Sequence, residues 1–195
     1  MGRINYSYDS RYLLTLTARR DGASVFGANT SKYGVFPSVA LGWNIHNEAF
    51  MRNVMLVNNL KLRASYGKTG NEAIAINGTA TTAGTNRFPF NGVSTIGVLA
   101  SNLGNANLHW EETKGANLGL DFALLKNRIA GTVDVFRTTT DDILLRRNIP
   151  IITGYGNILD NLGKTKNTGI EITLNTVNVA SKNFKWETSL NFASY

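Results

Sequence analysis

Apolar and polar side chains alternate with a period of two in eight windows of this chain, near residues 2 to 9, 11 to 20, 34 to 46, 59 to 70, 112 to 125, 127 to 140, 166 to 179 and 184 to 195. Successive residues of a strand point to opposite faces, so each window separates into two rows. In the first window Ile4, Tyr6 and Tyr8 form one row and Arg3, Asn5, Ser7 and Asp9 the other. The fourth sets Leu60, Leu62, Ala64 and Tyr66 against Lys61, Arg63, Ser65 and Gly67, and the last sets Trp186, Thr188, Leu190 and Phe192 against Glu187, Ser189, Asn191 and Ala193. Only Leu13, Phe36 and Phe136 place a large apolar side chain on the polar row. A soluble sandwich also alternates, but its strands run about 5 to 6 residues with turns every 8 to 12. These windows are about twice that length and suit the roughly 9 to 11 residues with which a strand crosses a bilayer. The expected fold is therefore all-β, an antiparallel transmembrane β-barrel wall with lipid on the apolar row and water on the polar one.

The connections support the same reading, because barrels of this kind alternate short periplasmic turns with long extracellular loops. Asp9-Ser10, Lys126-Asn127 and Ala180 to Asn183 are short, whereas 21 to 33, 71 to 111 and 141 to 165 are longer, the last two rich in Gly, Asn and Thr. The segment 47 to 58 is long for its periplasmic place, and Phe50, Met51, Met55 and Leu56 suit a helical turn at the membrane surface. Trp43, Trp110 and Trp186 are candidates for an interfacial aromatic girdle. Arg3, Arg19, Lys61, Arg63, Asp121, Asp134 and Glu171 fall on the polar row, where charges on neighbouring strands are expected to satisfy one another. The net charge of +7 comes from scattered residues, which fits a basic wall facing water better than nucleic-acid binding. The chain has no cysteine, so disulfides and thiolate metal sites are excluded.

Several motifs invite a catalytic reading and fail it. Ser65 to Lys68 matches S-x-x-K and Lys68-Thr69-Gly70 matches K-T-G, yet one lysine cannot serve both motifs of a penicillin-recognising serine enzyme. Gly67-Lys68-Thr69 has the end of a phosphate-binding loop, but Leu62 replaces the first glycine and the segment alternates as a strand. His109, Glu111 and Glu112 lack a second histidine at ligand spacing, and His46 is remote. Asp141-Asp142, at the mouth of a long loop, is a candidate calcium pair. No catalytic residue, metal site or cofactor is expected, and ligand contacts belong in loops 71 to 111 and 141 to 165, with no single residue singled out.

Arg19 to Gly27, followed by Tyr33-Gly34-Val35-Phe36-Pro37-Ser38 and Gly42-Trp43, resembles a signature of SusC/RagA-type TonB-dependent outer-membrane transporters. The resemblance continues through Leu60 to Asn71, Trp110-Glu111 with Thr113, Asn117 to Phe122, and Asn161 to Glu171 with Gly163, Asn167 and Gly169 in place. His109 and Thr168 stand where the family often has lysine. The resemblance implies a 22-stranded barrel with an N-terminal plug, of which residues 1–195 are expected to be about eight strands of the barrel domain, with neither plug nor signal peptide read in these residues. It also implies import of oligosaccharides or peptides across the outer membrane of a Bacteroidetes-like Gram-negative cell. The implied partners are a SusD-like surface lipoprotein, TonB with ExbBD, and outer-membrane lipid. Strands reaching both chain ends lead to the expectation of a fragment. A complete eight-stranded structural or adhesion barrel and a soluble carbohydrate-binding sandwich are the alternatives.

Overall fold

A computed structural model describes residues 1–26, 29–76 and 78–195. Eight antiparallel strands form one sheet, and all eight alternating windows are among them. In chain order the strands are β1 (Gly2–Tyr8), β2 (Tyr12–Gly22), β3 (Tyr33–Asn44), β4 (Val57–Asn71), β5 (Thr82–Phe90), β6 (Val93–Asn102), β7 (Glu111–Leu124), β8 (Ile129–Asp141), β9 (Leu144–Asn148), β10 (Asn157–Asn161), β11 (Lys164–Ala180) and β12 (Lys185–Ser194). The large sheet runs β1-β2-β3-β4-β7-β8-β11-β12, while β5 with β6 and β9 with β10 form separate two-stranded hairpins within the two long loops. Those hairpins were not expected from the alternation.

Register keeps the two rows apart through the body of the sheet, broken among the described residues only by bulges near the short-turn end, between Val57 and Asn59 in β4 and between Val177 and Val179 in β11. Leu16 stands opposite Ile4 and Val39, Leu62 opposite Trp43 and Leu120, and Ile172 opposite Val133 and Phe192. A slip of one residue would exchange the faces, so this in-phase pairing is what makes one face continuously apolar. That face is not covered: Ile4 is 64% exposed, Leu41 54% and Leu190 59%. An uncovered apolar sheet face of this extent is what the lipid-facing side of a membrane barrel presents.

The three large apolar residues of the polar face are each accommodated by glycine. Leu13 stands opposite Gly42, and Phe136 opposite Gly169. A Cβ at Gly169 would come within 2.7 Å of the Phe136 ring, so the ring occupies the space a side chain would need. Phe36 lies over Gly34 and reaches Gly70 of the neighbouring strand in the same way.

The turns explain the two unequal ends. Asp9 and Ser10 both have positive φ, 50° and 53°, the combination that matches a tight connection to strand twist. Leu125, Lys126 and Asn127 form a left-handed run between β7 and β8. At this same end, 45 to 56 folds into two short 3₁₀ turns, Ile45–Asn47 and Ala49–Met51, with Phe50, Met55 and Leu56 exposed. Of the four residues expected in a helical turn, Phe50 and Met51 lie in the second 3₁₀ turn, whereas Met55 and Leu56 follow it in the turn that enters β4. At the opposite end, residues 23–32, 72–110 and 142–163 make the long connections.

Candidate functional site

The buried apolar core lies at the long-loop end, above the sheet. Ala23, Phe26, Phe36, Leu108 and Trp110 form it, and Val25, Ile74, Leu144 and Leu159 pack against them. Leu108 is fully buried and Phe26 2% exposed. Trp110 meets Phe26 at 5.2 Å and Phe36 edge-on at 5.3 Å, geometries that favour aromatic pairs. The expectation that Trp110 belongs to a girdle is thus overturned, because it precedes β7 and three loops close over it. Its Nε1 has no acceptor among the described residues. Trp43 and Trp186 do stand at the short-turn end, Trp43 stacked on Tyr12 at 6.4 Å and Tyr12 on Tyr8 at 6.5 Å.

Polar contacts join the three loops into one cap. Thr30 Oγ1 donates to Leu108 O at 2.6 Å, and Thr79 Oγ1 to Val25 O at 3.2 Å. Asn161 bridges the two longer loops: its Nδ2 donates to His109 O and Asp142 O, both at 2.9 Å, while its Oδ1 accepts from His109 N at 3.0 Å. Asn105 Nδ2 donates to Leu159 O, and Leu144 N donates to Glu111 Oε2. Beyond this cap the β5-β6 hairpin exposes Phe90, Val93, Ile96 and Val98, and the β9-β10 connection exposes Ile151 and Ile152. A shallow cleft of about 220 Å³ between the hairpins is lined by Ala75, Gly78, Asn102, Arg146 and Leu159.

On the polar face below the cap, Arg63 lies between two carboxylates of neighbouring strands. Its Nε and Nη2 donate to Asp121 at 2.8 to 3.0 Å, and Nη2 also to Asp134 at 3.1 and 3.2 Å. The guanidinium crosses β7 at Gly119, where a Cβ would sit 2.7 Å from Arg63 Cζ and 2.5 Å from Asp134 Oδ1. The expected cross-strand satisfaction is met here. Arg19 pairs instead with Asp21 of its own strand, Arg3 reaches Thr17, and Glu171 accepts from Tyr195. Lys61 has no carboxylate partner among the described residues.

The motifs that invited catalysis are taken apart by strand parity. Ser65 pairs with Asn117 on the polar face, whereas Lys68 points to the other face and binds Glu112 at 2.5 Å. Lys68 and Thr69 lie within β4, not in a loop before a helix. His109 Nε2 is 3.4 Å from Asp142, Glu111 is engaged by Asn71 and Leu144, and His46 contacts the backbone of Leu60. Asp141 is held by Lys114 at 3.1 Å and Lys164 at 2.9 Å, so the two aspartates face different partners. No group of three potential metal ligands converges among the described residues.

At the short-turn end a buried carboxylate organises the connections. Glu48, in the β3-β4 connection, accepts from Tyr12 Oη at 2.7 Å, Trp43 Nε1 at 2.9 Å and Arg11 Nη1 at 3.1 Å. Arg11 also binds Asp9. Hydrogen bonds from Tyr12, then Trp43, with Arg11 adding its charge, hold the Glu48 carboxyl below its ordinary value of 4.5.

Residues 1–195 match the family described as TonB dependent receptor-like, beta-barrel. TonB-dependent receptor P26 of Formosa agariphila is 40% identical over 193 residues, covering 99% of this chain and 19% of that protein. TonB-dependent receptor SusC of Bacteroides thetaiotaomicron is 37% identical over 97% of this chain, again 19% of the relative. The solved RagAB peptide importer in its closed-closed state superposes with a TM-score of 0.89 at 30% identity, over 98% of this chain and 21% of that one. A siderophore receptor, PirA of Pseudomonas aeruginosa, shares the fold at a TM-score of 0.60 and 17% identity. The chain spans about a fifth of the length of the curated relatives it matches. The exposed apolar face, the polar face with the ion pairs of Arg63 and the looped cap thus form a sector of barrel wall, and the chain belongs to the TonB-dependent receptor β-barrel family.

Proposed function

We propose that this chain supplies wall and extracellular loops to an outer-membrane importer of solutes too large for porins, oligosaccharides or peptides. One observation carries the reading: a sheet with an uncovered apolar face bears, among the described residues, its packed apolar cap at the long-loop end. The apolar face meets lipid, the polar face with Arg63, Asp121 and Asp134 lines the lumen, and the cap faces the medium. The relatives bear receptor and transporter names, and the reading assigns the chain no catalytic residue. The same kinship supports residues 1–195 as part of the barrel domain. It also supports a SusD-like lipoprotein over the cap and energy from TonB with ExbBD.

The test is uptake by the full-length protein carrying this segment. Cells expressing it should accumulate fluorescent oligosaccharides or peptides above the porin limit and stop when a proton uncoupler is added. Removing residues 82–102, the β5-β6 hairpin beyond the cap, should lower uptake with the protein still in the outer membrane. Accumulation that ignores the uncoupler, or that needs no barrel protein, refutes the proposal.

A further inference from the structure

The outward face of the wall changes character just above its apolar band. The last apolar rung is Leu118, Val135 and Ile170, one residue from each of three neighbouring strands. The next rungs on the same face are Ala116, Arg137 and Thr168, then Lys114, Thr139 and Lys166, then Glu112, Asp141 and Lys164. With Lys68, opposite Lys114 on β4, this places five cations and two carboxylates on one outward patch. The two carboxylates are already engaged, Glu112 by Lys68 and Asp141 by Lys114 and Lys164. Arg137 and Lys166 are exposed and have no carboxylate partner among the described residues. The lumenal face at the same height carries Thr113, Gly115, Thr138, Thr140 and Thr165, without charge. On these top rungs of β7, β8 and β11, charge therefore lies on the outward face.

Two depressions on this face meet at Tyr66. One, of about 360 Å³, is lined by Lys114, Arg137, Thr139, Asp141, Lys164 and Tyr66. The other, of about 530 Å³ and apolar, is bordered by Ile4, Leu16, Ala18, Pro37, Val39 and Tyr66. A polar hollow thus adjoins an apolar groove. Strands rise about 3.3 Å per residue, so the basic rungs begin within about 7 Å of the last apolar one, at headgroup depth.

We propose that this surface binds a phosphorylated lipid of the outer leaflet, its phosphate between Arg137, Lys166 and Lys114 and an acyl chain in the groove beside Tyr66. The continuity of the two depressions favours a lipid over free phosphate, because a free anion would have no use for the apolar groove. The inference rests on the membrane-wall reading above, since it needs the apolar face to meet lipid.

The test uses the full-length protein carrying this segment, purified in neutral detergent and offered bisphosphorylated lipid A or its dephosphorylated form, with bound lipid read by native mass spectrometry. The phosphorylated form should be retained, and R137Q/K166Q should lower its retention by about 30-fold, the worth of two cations at a lipid surface. R52Q/K126Q, which removes one arginine and one lysine at the short-turn end, should leave retention unchanged. Excess inorganic phosphate should not displace the lipid. Equal retention of the two lipids, an R137Q/K166Q protein that binds as the parent does, or displacement by inorganic phosphate each overturns the proposal. A protein that stays dispersed without detergent and holds no lipid of any kind would instead overturn the membrane-wall reading beneath it.

Discussion

Replacing Phe36 with alanine tests whether the cap is a cooperative unit separate from the strands below it. The ring is 5% exposed, meets Trp110 edge-on at 5.3 Å, and fills the space above Gly34 and Gly70. Removing a buried phenyl group costs ~3 to 5 kcal/mol in transfer and cavity terms together. Glycines on two sides offer no side chain to refill the space, so a loss of about 4 kcal/mol is expected. At about 1.4 kcal/mol per factor of ten, the open population of the cap rises roughly 700-fold. Hydrogen exchange on the full-length protein in detergent reads this directly, because local opening exposes only the amides of the unit that opens. The amides of Ala23, bonded to Lys32 O, and His109, bonded to Asn161 Oδ1, should exchange faster by two to three orders of magnitude, about what that free energy gives. Those of Leu120 and Val133, in the middle of β7 and β8, should not change. Phe36→Leu, which keeps most of the volume, should cost about 1 kcal/mol. Equal acceleration at Leu120 and Val133 would show that the cap and the wall open together, and no acceleration at Ala23 would show that Phe36 does not hold the cap; either result refutes the reasoning.

Trp110→Phe should cost less than about 1.5 kcal/mol in cap exchange, because the lost area is offset by removing an indole N–H that lacks an acceptor among the described residues. Gly119→Ala should displace Arg63 from Asp134 and lower the urea midpoint of the full-length barrel by the equivalent of ~1 to 3 kcal/mol, whereas Gly115→Ala, whose Cβ meets only Thr138 at 3.7 Å, should cost far less. Glu48 has a folded value below its ordinary one, so its contribution is fully present above about pH 4.5 and is lost as pH falls through the depressed value. Tryptophan emission of the parent should shift across that acid range as the Trp43 bond to Glu48 breaks, and E48Q should abolish the shift; an identical shift in E48Q would remove Glu48 as its source.

Strand positions were readable because each window keeps one face apolar through its middle, and such a constraint is written in period-two alternation. All eight such windows appear as strands of one sheet. The β5-β6 hairpin escaped that reading because Gly84, Pro89 and Gly97 blur its rows. Its turn was nevertheless signalled: Asn91 and Gly92, both at positive φ, are the pair that a tight hairpin favours. The β9-β10 hairpin has strands of only five residues, too short for alternation to register. Trp110 was misplaced for a different reason. An aromatic residue next to a strand end suits a headgroup belt or a loop core equally, and only tertiary packing chooses. The break in alternation at Phe36 was the one local sign of the cap, since a large apolar side chain on a wet face needs its own cover. The lumenal partners of Arg63 were legible as a class, but their diagonal geometry depends on strand stagger and on the open space at Gly119.

Asn161 makes the two longer loops hereditary companions. Its amide holds His109 from one and Asp142 from the other, and Asn105 reaches across to Leu159 close by. A chimera that takes residues 72–110 from one relative and 142–163 from another would separate donors from the carbonyls they grew up with, and leave Leu108 and Trp110 beneath a foreign roof. Exchange of binding properties between such barrels therefore has a natural grain: loops travel intact as a matched set, and cutting between them divides a single object.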